Sequence, residues 1–369
     1  MRVPTVRLVV VAAASLALLA ACSGSSATTA PAESAAPATA APATQAPATA
    51  APATQAPAES AAPSASAAAL KVALILPGPA SDKGFNQSAY ESLAAIASQF
   101  GAETAYTESV APNEFETAYR DYASKGFNVI VGQGFEFGDI ATKVAPDFPD
   151  VKFLVTSNPV AGPNISGLNP NSQDAAYLAG IAAGLATKSG KVGGIAGMQF
   201  PIIVAQMEAY KLGVQSVKPD AEVTLTYLGT FDDVAKAKET TQAMIDSGID
   251  VIYHIADAAG VGVIQAADAG GIMVIGWGKD QSALAPNAVL TSQIVDFGPM
   301  IVDAVGRIAN GQFKGEPEFF GLDTPVIGLT PVAGVRGVDA AAIQAKVDEV
   351  KAAILAGTTT VPFITEPSK

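Results

Sequence analysis

Short apolar runs alternate with helix-forming stretches throughout residues 70–369, and this alternation limits the possible folds more than any other feature of the sequence. Several runs are apolar at every position, which is typical of strands that are covered on both faces. The predicted strands are 71–77, 129–133, 152–157, 191–197, 222–228, 250–256 and 271–277. The predicted helices are 85–100, 113–125, 137–146, 173–187, 202–217, 232–247, 258–269 and 298–310. This alternation predicts an α/β fold with parallel, doubly wound sheets and right-handed crossovers.

A repeated pattern within the chain indicates that there are two such sheets. Residues 126–158 and 248–280 each run from a glycine through a Val-Ile strand, a glycine-containing loop and a helix to a second strand with a polar end. Residues 70–369 are also long enough for two lobes. We therefore predict two lobes of the same plan that face each other across a cleft.

The chain begins with two arginines and an apolar run that ends just before Cys22, its single cysteine. The run is shorter than the ~20 residues needed to span a bilayer, so we predict a signal peptide over 1–21. Leu-Ala-Ala-Cys at its end resembles a bacterial lipobox, which implies that Cys22 is lipidated. The alternative is an ordinary secretory signal followed by an unrelated cysteine. Residues 22–69 are rich in Ala, Pro and Thr and predict an extended tether without a core.

The charge of the chain lies entirely in the predicted lobes. The two arginines and two glutamates before residue 70 cancel, so residues 70–369 carry the whole net charge of −13. An acidic surface argues against nucleic-acid binding and against a basic membrane-binding face. No other segment is apolar over the ~18 residues that indicate a membrane span, so we expect attachment through the lipid alone.

Motifs for catalysis are missing from the sequence. His254 is the only histidine, which excludes a multi-histidine metal site and Cys–His chemistry. Neither a G-x-S-x-G nucleophile motif nor a G-x-x-x-x-G-K-[ST] phosphate loop occurs. The glycine runs at 132–138 and 260–265 match the dinucleotide motif incompletely and are more often tight turns. We therefore expect a protein that is not an enzyme and that has no cofactor and no metal.

Aromatic and polar side chains follow the predicted strands, where open α/β sheets bind ligands. The candidate ligand-binding residues are Asp82, Phe85, Asn86, Phe135, Asn158, Phe200, Asp257, Trp277 and Asp280. Aromatic faces with a few oriented polar groups suit a flat, partly polar small molecule.

Each candidate also has a purely structural interpretation, and these alternatives stay open. Asp82 and Asp280 can cap the helix or turn that follows them. Phe85 can be the first core residue of its helix, and Trp277 can cover the end of the sheet. The rings of Phe135 and Phe200 can pack between the lobes. His254 is more often a hydrogen-bonded strand residue than a ligand contact.

The motifs DKGFNQSA (82–89), AAYLAG (175–180) and KDQ (279–281), in this order, resemble the basic membrane protein (Bmp) family of lipoproteins. The resemblance covers nearly all of 70–369. It implies a type I periplasmic-binding-protein fold with a hinge, and delivery of purine nucleosides or related compounds to an ABC permease. Lobe 1 is then expected at about 70–170 plus 287–315, and lobe 2 at about 171–286 plus 316–369.

The resemblance also implies roles for individual residues. Phe85 would stack on the base, Asn86 would bind its edge, and Asp82 would shape the loop that presents them. Phe200 or a neighbour would supply the opposing ring. The ligand would be captured by hinge closure, in a monomer held by its lipid on the outer face of the cell membrane.

Two positions depart from the family pattern. Nucleoside-binding members usually have Asp where this chain has Gly278, and they tend to have Lys where it has Val295. Both changes remove polar groups from the sugar end, so we expect a nucleobase or another flat heteroaromatic as the preferred ligand. An alternative function is a lipoprotein that senses the ligand and reports to a membrane partner. A nucleoside hydrolase is disfavoured by the missing catalytic groups.

Overall fold

The structure is a computed structural model that describes residues 69–368. The predicted signal peptide, the lipidation site Cys22 and nearly all of the predicted tether lie outside the described residues. Within 69–368, no helix has the length and apolar character needed to cross a membrane. The described residues belong to one compact unit.

The strands fall into two sheets, and all the predicted strands are present. The strands of sheet A are β1 Lys71–Ile75, β2 Glu103–Thr107, β3 Val129–Gly132, β4 Lys152–Thr156, β5 Ala161–Gly162, β6 Ile165–Pro170 and β12 Glu318–Phe320. The strands of sheet B are β7 Lys191–Ala196, β8 Glu222–Tyr227, β9 Val251–Ile255, β10 Met273–Gly278, β11 Val289–Val295 and β13 Ile327–Leu329.

The helices cover both sheets. They are α1 Phe85–Phe100, α2 Phe115–Ser124, α3 Gly138–Val144, α4 Ser172–Ala186, α5 Pro201–Val217, α6 Val234–Asp246, α7 Asp257–Ala269, α8 Phe297–Ala309 and α9 Ala340–Leu355. Every predicted helix is present, and α9 is an addition that the sequence analysis missed.

The two sheets have equivalent strand orders. Sheet A runs β12-β6-β4-β3-β1-β2 and sheet B runs β13-β11-β10-β9-β7-β8, with β5 pairing with β6 outside the main order. All pairings are parallel except those of β5 with β6 and of β11 with β13. The repeated sequence segments form β3-α3-β4 in one sheet and β9-α7-β10 in the equivalent place of the other. The predicted α/β fold with two similar lobes is confirmed.

The central strands are buried on both faces, as their continuous apolar runs predicted. Val72 and Leu74 of β1 belong to one apolar cluster, while Ala73 and Ile75 belong to a second cluster on the opposite face. All four side chains are fully buried. Helices on both faces of a parallel sheet produce this pattern.

The predicted lobe boundaries near residues 287 and 316 are wrong, because each assigns one strand to the wrong lobe. β11 was expected in lobe 1, but it pairs with β10 in sheet B. β12 was expected in lobe 2, but it pairs with β6 in sheet A. The chain therefore crosses between the lobes after β6, after β11 and after β12. The sequence did not reveal β11 because Thr291, Ser292 and Gln293 interrupt its apolar run although all three are buried.

Candidate functional site

A cavity of about 110 Å³ lies between the lobes, at the carboxyl ends of the strands of both sheets. One water molecule needs about 10–15 Å³ by the same measure, so the space can hold a small organic molecule. Most of the predicted ligand-binding residues line this cavity: Asp82, Phe85, Asn86, Phe135, Phe200, Asp257 and Trp277. Asn158 and Asp280 do not line it.

Asp82 organises the entrance of α1. Its carboxylate accepts hydrogen bonds from the backbone N–H groups of Gly84 (2.9 Å), Asn86 (2.7 Å) and Gln87 (3.1 Å). These N–H groups belong to the start of the helix, where they have no partner within the helix itself. Asp82 therefore shapes the loop and caps the helix, and it also lines the cavity.

Asn86 presents an acceptor without a partner. Its side chain is 4% exposed, and its amide N–H donates to the Asp82 carboxylate at 2.8 Å. The amide oxygen, Oδ1, is buried and has no hydrogen-bond partner among the described residues. A Cβ atom on Gly78 would lie 2.7 Å from the Asn86 amide nitrogen, so glycine is needed there. A buried polar atom of this kind is expected to be satisfied by a ligand or a water.

Phe85 packs in the core and also lines the cavity. Its ring packs edge-on against Phe297, with ring centroids 5.0 Å apart, and it adds to the core between α1 and α8. The ring is only partly buried, and it also lines the cavity. Trp277 of the other lobe lies 6.4 Å away, centroid to centroid. Phe85 is therefore a core residue whose free surface faces the cleft.

A buried hydrogen-bond network fixes Trp277. Its indole N–H donates to Oε1 of Gln206 at 3.0 Å, and the same oxygen accepts from Gln293 at 3.0 Å. Gln293 is held in turn by Tyr253. With its N–H occupied and only 6% of its surface exposed, Trp277 offers the ligand an aromatic surface.

Phe135 and Phe200 meet across the cleft. Their rings are stacked, with centroids 5.6 Å apart and an interplanar angle of 27°. Phe135 begins a short 3-10 helix after β3 of sheet A and Phe200 lies just before α5, so the pair joins the two lobes. Asn158 supports this pair from behind, because its amide N–H donates to the Phe135 carbonyl at 2.7 Å. Its place in the structure is thus next to the cavity wall.

The lobes also touch at the carboxyl end of β10. Gly278 has a φ of 89°, and a Cβ atom there would lie 3.1 Å from the Gly84 Cα of the other lobe. Next to it, Lys279 forms an ion pair with Glu91 of α1. The glycine at the position where the family pattern has an aspartate therefore permits a close backbone approach between the lobes.

Asp257 begins α7 in an unusual environment. Its backbone φ is 43°, in the left-handed region that non-glycine residues seldom adopt. Burial raises the pKa of the Asp257 carboxyl well above its usual value, and the charges of Asp82, Glu136 and Asp232 add to the effect. All of these carboxylates line the cavity.

Asp280 and His254 fit their structural interpretations. Asp280 is exposed and accepts a hydrogen bond from the Ser282 backbone N–H at 2.9 Å, which caps the turn. His254 is buried, and its Nε2 is 2.9 Å from Oε1 of Gln281. Burial lowers the pKa of His254 to about 4, so the ring is neutral near pH 7.

The sequence analysis missed several residues of the cavity wall. Among them are Glu136, Gln206, Phe231, Asp232 and Phe297. Glu136, Phe231 and Asp232 follow strands β3 and β8, so the rule about strand ends could have identified them. Gln206 lies within α5 and reaches the cleft only through the packing of the lobes, which no local pattern predicts.

Comparison with known proteins identifies the family. The family model described as Bmp, an ABC transporter substrate-binding protein that is PnrA-like, matches residues 69–361. The chain belongs to the Bmp family. Bmp proteins are solute-binding proteins of ABC transporters, which work outside the cytoplasm at the membrane and pass small molecules to a permease.

Individual relatives agree with this Bmp assignment. The "ABC transporter nucleoside-binding protein BmpA" of Lactococcus lactis is 32% identical over 269 residues, which are 67% of this chain and 77% of the relative. A purine-binding protein of Brucella abortus is 29% identical over 265 residues, 71% of this chain and 75% of the relative. The structure of a solute-binding protein from Conexibacter woesei is 29% identical, with a TM-score of 0.66 over 80% of this chain and 100% of that one.

Proposed function

We propose that this protein is a lipid-anchored, monomeric Bmp protein that captures a purine base or another flat heteroaromatic for an ABC importer. The observation that carries the proposal is the set of aromatic rings around the cleft. Phe85 and Trp277 lie at one part of the wall, and the stacked pair of Phe135 and Phe200 lies at another. Stacking on such rings contributes about 0.5–1.5 kcal/mol for each well-placed ring.

Asn86 supports a ligand with a polar edge. The residue lines the cavity together with its neighbour Phe85, and its Oδ1 is an acceptor without a partner within residues 69–368. A ring N–H or an exocyclic amino group of a heteroaromatic ligand would satisfy this atom. Sites that pair a buried acceptor with a substrate donor discriminate strongly against analogues that lack the donor.

The end of β10 favours a base over an intact ribonucleoside. Gly278 supplies no side chain for sugar hydroxyls, and its backbone already lies against Gly84 of the opposite lobe. The neighbouring indole of Trp277 lies in the cavity wall. Val295, which also lines the cavity, supplies no polar group.

The names of relatives support the general class of ligand, since one is called nucleoside-binding and another purine-binding. The position of Cys22 after an apolar run supports the lipid anchor. Mass spectrometry of the intact purified protein would test this anchor, because a chain cleaved before Cys22 and carrying acyl groups is expected.

Two measurements test the ligand. Mass spectrometry of small molecules released by denaturing the purified protein should find a flat heteroaromatic. Calorimetric titration with adenine, guanine, adenosine, guanosine and inosine should then give tighter binding of the bases. Tight binding of the ribosides with weak binding of the bases would contradict the preference for a base, and an aliphatic co-purified ligand would contradict the function itself.

A further inference from the structure

The cavity wall is acidic. The lining residues, all within 69–368, include the carboxylates of Asp82, Glu136, Asp232 and Asp257, and they include no lysine, arginine or histidine. Asp82 and Glu136 belong to the lobe of sheet A, and the other two belong to the lobe of sheet B. The cavity wall therefore carries acidic groups from both lobes.

These carboxylates differ in how far the protein satisfies them. Asp82 is occupied by the N–H groups at the start of α1. Burial raises the pKa of the Glu136 carboxyl, and no hydrogen bond or cation within 69–368 counters the same effect on the partly buried Asp257. Burial without a partner is costly for a carboxylate, and repulsion from the neighbouring acids adds to this cost. Asp257 is thus the group that gains most from a positive charge in the cleft.

Asn86 gives an independent indication of what the ligand must supply. Its side chain is 4% exposed, and its buried Oδ1 has no hydrogen-bond partner within residues 69–368 although the residue lines the same cavity. It is an acceptor, like the carboxylates. The indole N–H of Trp277, in contrast, is already donated to Gln206. The side-chain groups of the cavity wall that are still free to bind a ligand are therefore hydrogen-bond acceptors, and a ligand that carries donors would satisfy them.

The aromatic residues add to the same preference. Phe200 and Phe231 are tilted neighbours with centroids 6.2 Å apart, and both line the cavity together with Phe135. The faces of aromatic rings carry partial negative charge and attract cations within about 6 Å. Carboxylates and ring faces together form the environment that proteins use to hold organic cations.

We propose that the ligand carries a positive charge on its heteroaromatic ring or on an attached amine, and that Asp257 selects for this charge. The proposal rests on the proposed function of the same cleft. A cation in the cleft favours the ionised form of the Asp257 carboxyl, which burial and the neighbouring acids otherwise disfavour, whereas a phosphorylated ligand adds negative charge. Nucleotides and other anions are therefore excluded, and a neutral isomer of the cation binds less tightly.

Isomeric methylated adenines test the proposal on the purified full-length chain. The adenine methylated at N1 and N9 is protonated near neutral pH, while its isomer methylated at N6 and N9 is neutral. Calorimetry at pH 7 should give roughly tenfold tighter binding of the cation, since a close charge pair at a partly screened site suffices for one decade. 1-Methyladenosine and N6-methyladenosine form the matching riboside pair, and AMP serves as the anion.

Variants locate the effect. Asp257→Asn should abolish the preference for the cation, so that the two isomers bind with similar dissociation constants. Asp150→Asn, which removes an exposed carboxylate before β4 at the opposite end of the sheet, is the matched control and should keep the preference. If Asp257→Asn does not fold, the comparison of isomers on the unmodified protein still decides.

The outcomes separate this proposal from the proposed function. Equal or tighter binding of the neutral isomers, or binding of AMP, would overturn the charge preference and leave heteroaromatic capture intact. Failure of every compound in the set to bind would count against both. A cation preference that persists in Asp257→Asn would refute the role assigned to Asp257.

Discussion

Replacing Gly278 with alanine tests whether the observed contact between the lobes belongs to the ligand-bound state. The substitution has two separate effects. At a φ of 89°, any side chain strains the backbone, and the new Cβ atom would lie 3.1 Å from the Gly84 Cα of the other lobe. The strain acts wherever lobe 2 is folded, whereas the contact acts only when the lobes are closed.

The two effects differ in size and in what they change. A left-handed conformation costs an alanine roughly 1–2 kcal/mol, which appears as lost stability. The contact is shorter than the 3.5–4.0 Å at which carbon atoms attract each other. Relieving such overpacking costs about 1–3 kcal/mol, and if the lobes open to do so, the dissociation constant rises roughly fivefold to 150-fold.

Gly271 provides the matched control. It lies just before β10 in the same lobe with a φ of 73°, and a Cβ atom there would meet nothing within 4 Å. Urea unfolding should show similar destabilisation of Gly278→Ala and Gly271→Ala. Calorimetric titration with adenine and guanine should show weaker binding only for Gly278→Ala. Unchanged affinity in both variants would refute the reasoning, because the Gly84–Gly278 approach would then not be part of the bound state.

Three further predictions concern single side chains. Phe85→Ala should weaken purine binding by roughly tenfold or more. Leu93→Ala, which empties a core position on the same helix, should lower stability and leave the affinity unchanged. If Phe85→Ala also lowers only stability, Phe85 is a core residue and not a ligand contact. Trp277→Phe removes the indole donor, but Oε1 of Gln206 keeps the bond from Gln293, so we expect a loss of about 0.5–1.5 kcal/mol in urea unfolding. An unchanged unfolding midpoint would contradict the network. The pKa of His254 is about 4 in the folded protein and ordinarily 6.5, so the unfolded chain takes up the proton at a higher pH. Protonation of this group therefore destabilises the fold as the pH falls from 6.5 to 4. His254→Gln should remove that part of the pH dependence, and identical slopes of stability against pH in the variant and the unmodified protein would contradict this.

The architecture could be predicted from the sequence because its central strands have a clear apolar pattern. The strands that became β1, β3, β4, β7, β9 and β10 are continuously apolar or nearly so, since helices cover both their faces. The strands that escaped prediction lack this signal. β2 is mostly exposed at the edge of its sheet, and β6 contains Gly167, Asn169 and Pro170, residues that usually mark turns.

The candidate site was predictable only in part, for a physical reason. Residues that follow strands are placed by topology, so Phe85, Asn86 and Trp277 could be assigned to the cleft from the chain alone. Asp280 also follows a strand, but its side chain caps the next turn and does not line the cavity. The rule about strand ends therefore selected it incorrectly. Gln206 is brought to the cleft by packing between distant elements, which depends on the whole fold.

The repeated crossing of the chain between the lobes has a consequence for how the protein is made. Sheet A is complete only when β12 joins β6, and the bond from the Ser166 hydroxyl to the Glu316 carbonyl connects residues 150 positions apart. Because a chain is synthesised from its amino terminus, sheet A cannot be completed before strands β7 to β11 of sheet B have been made. Contacts of such long range slow folding, so we expect the pairing of β12 with β6 to be a late step. A truncation before β12 would therefore remove an edge strand from each sheet, β12 from sheet A and β13 from sheet B.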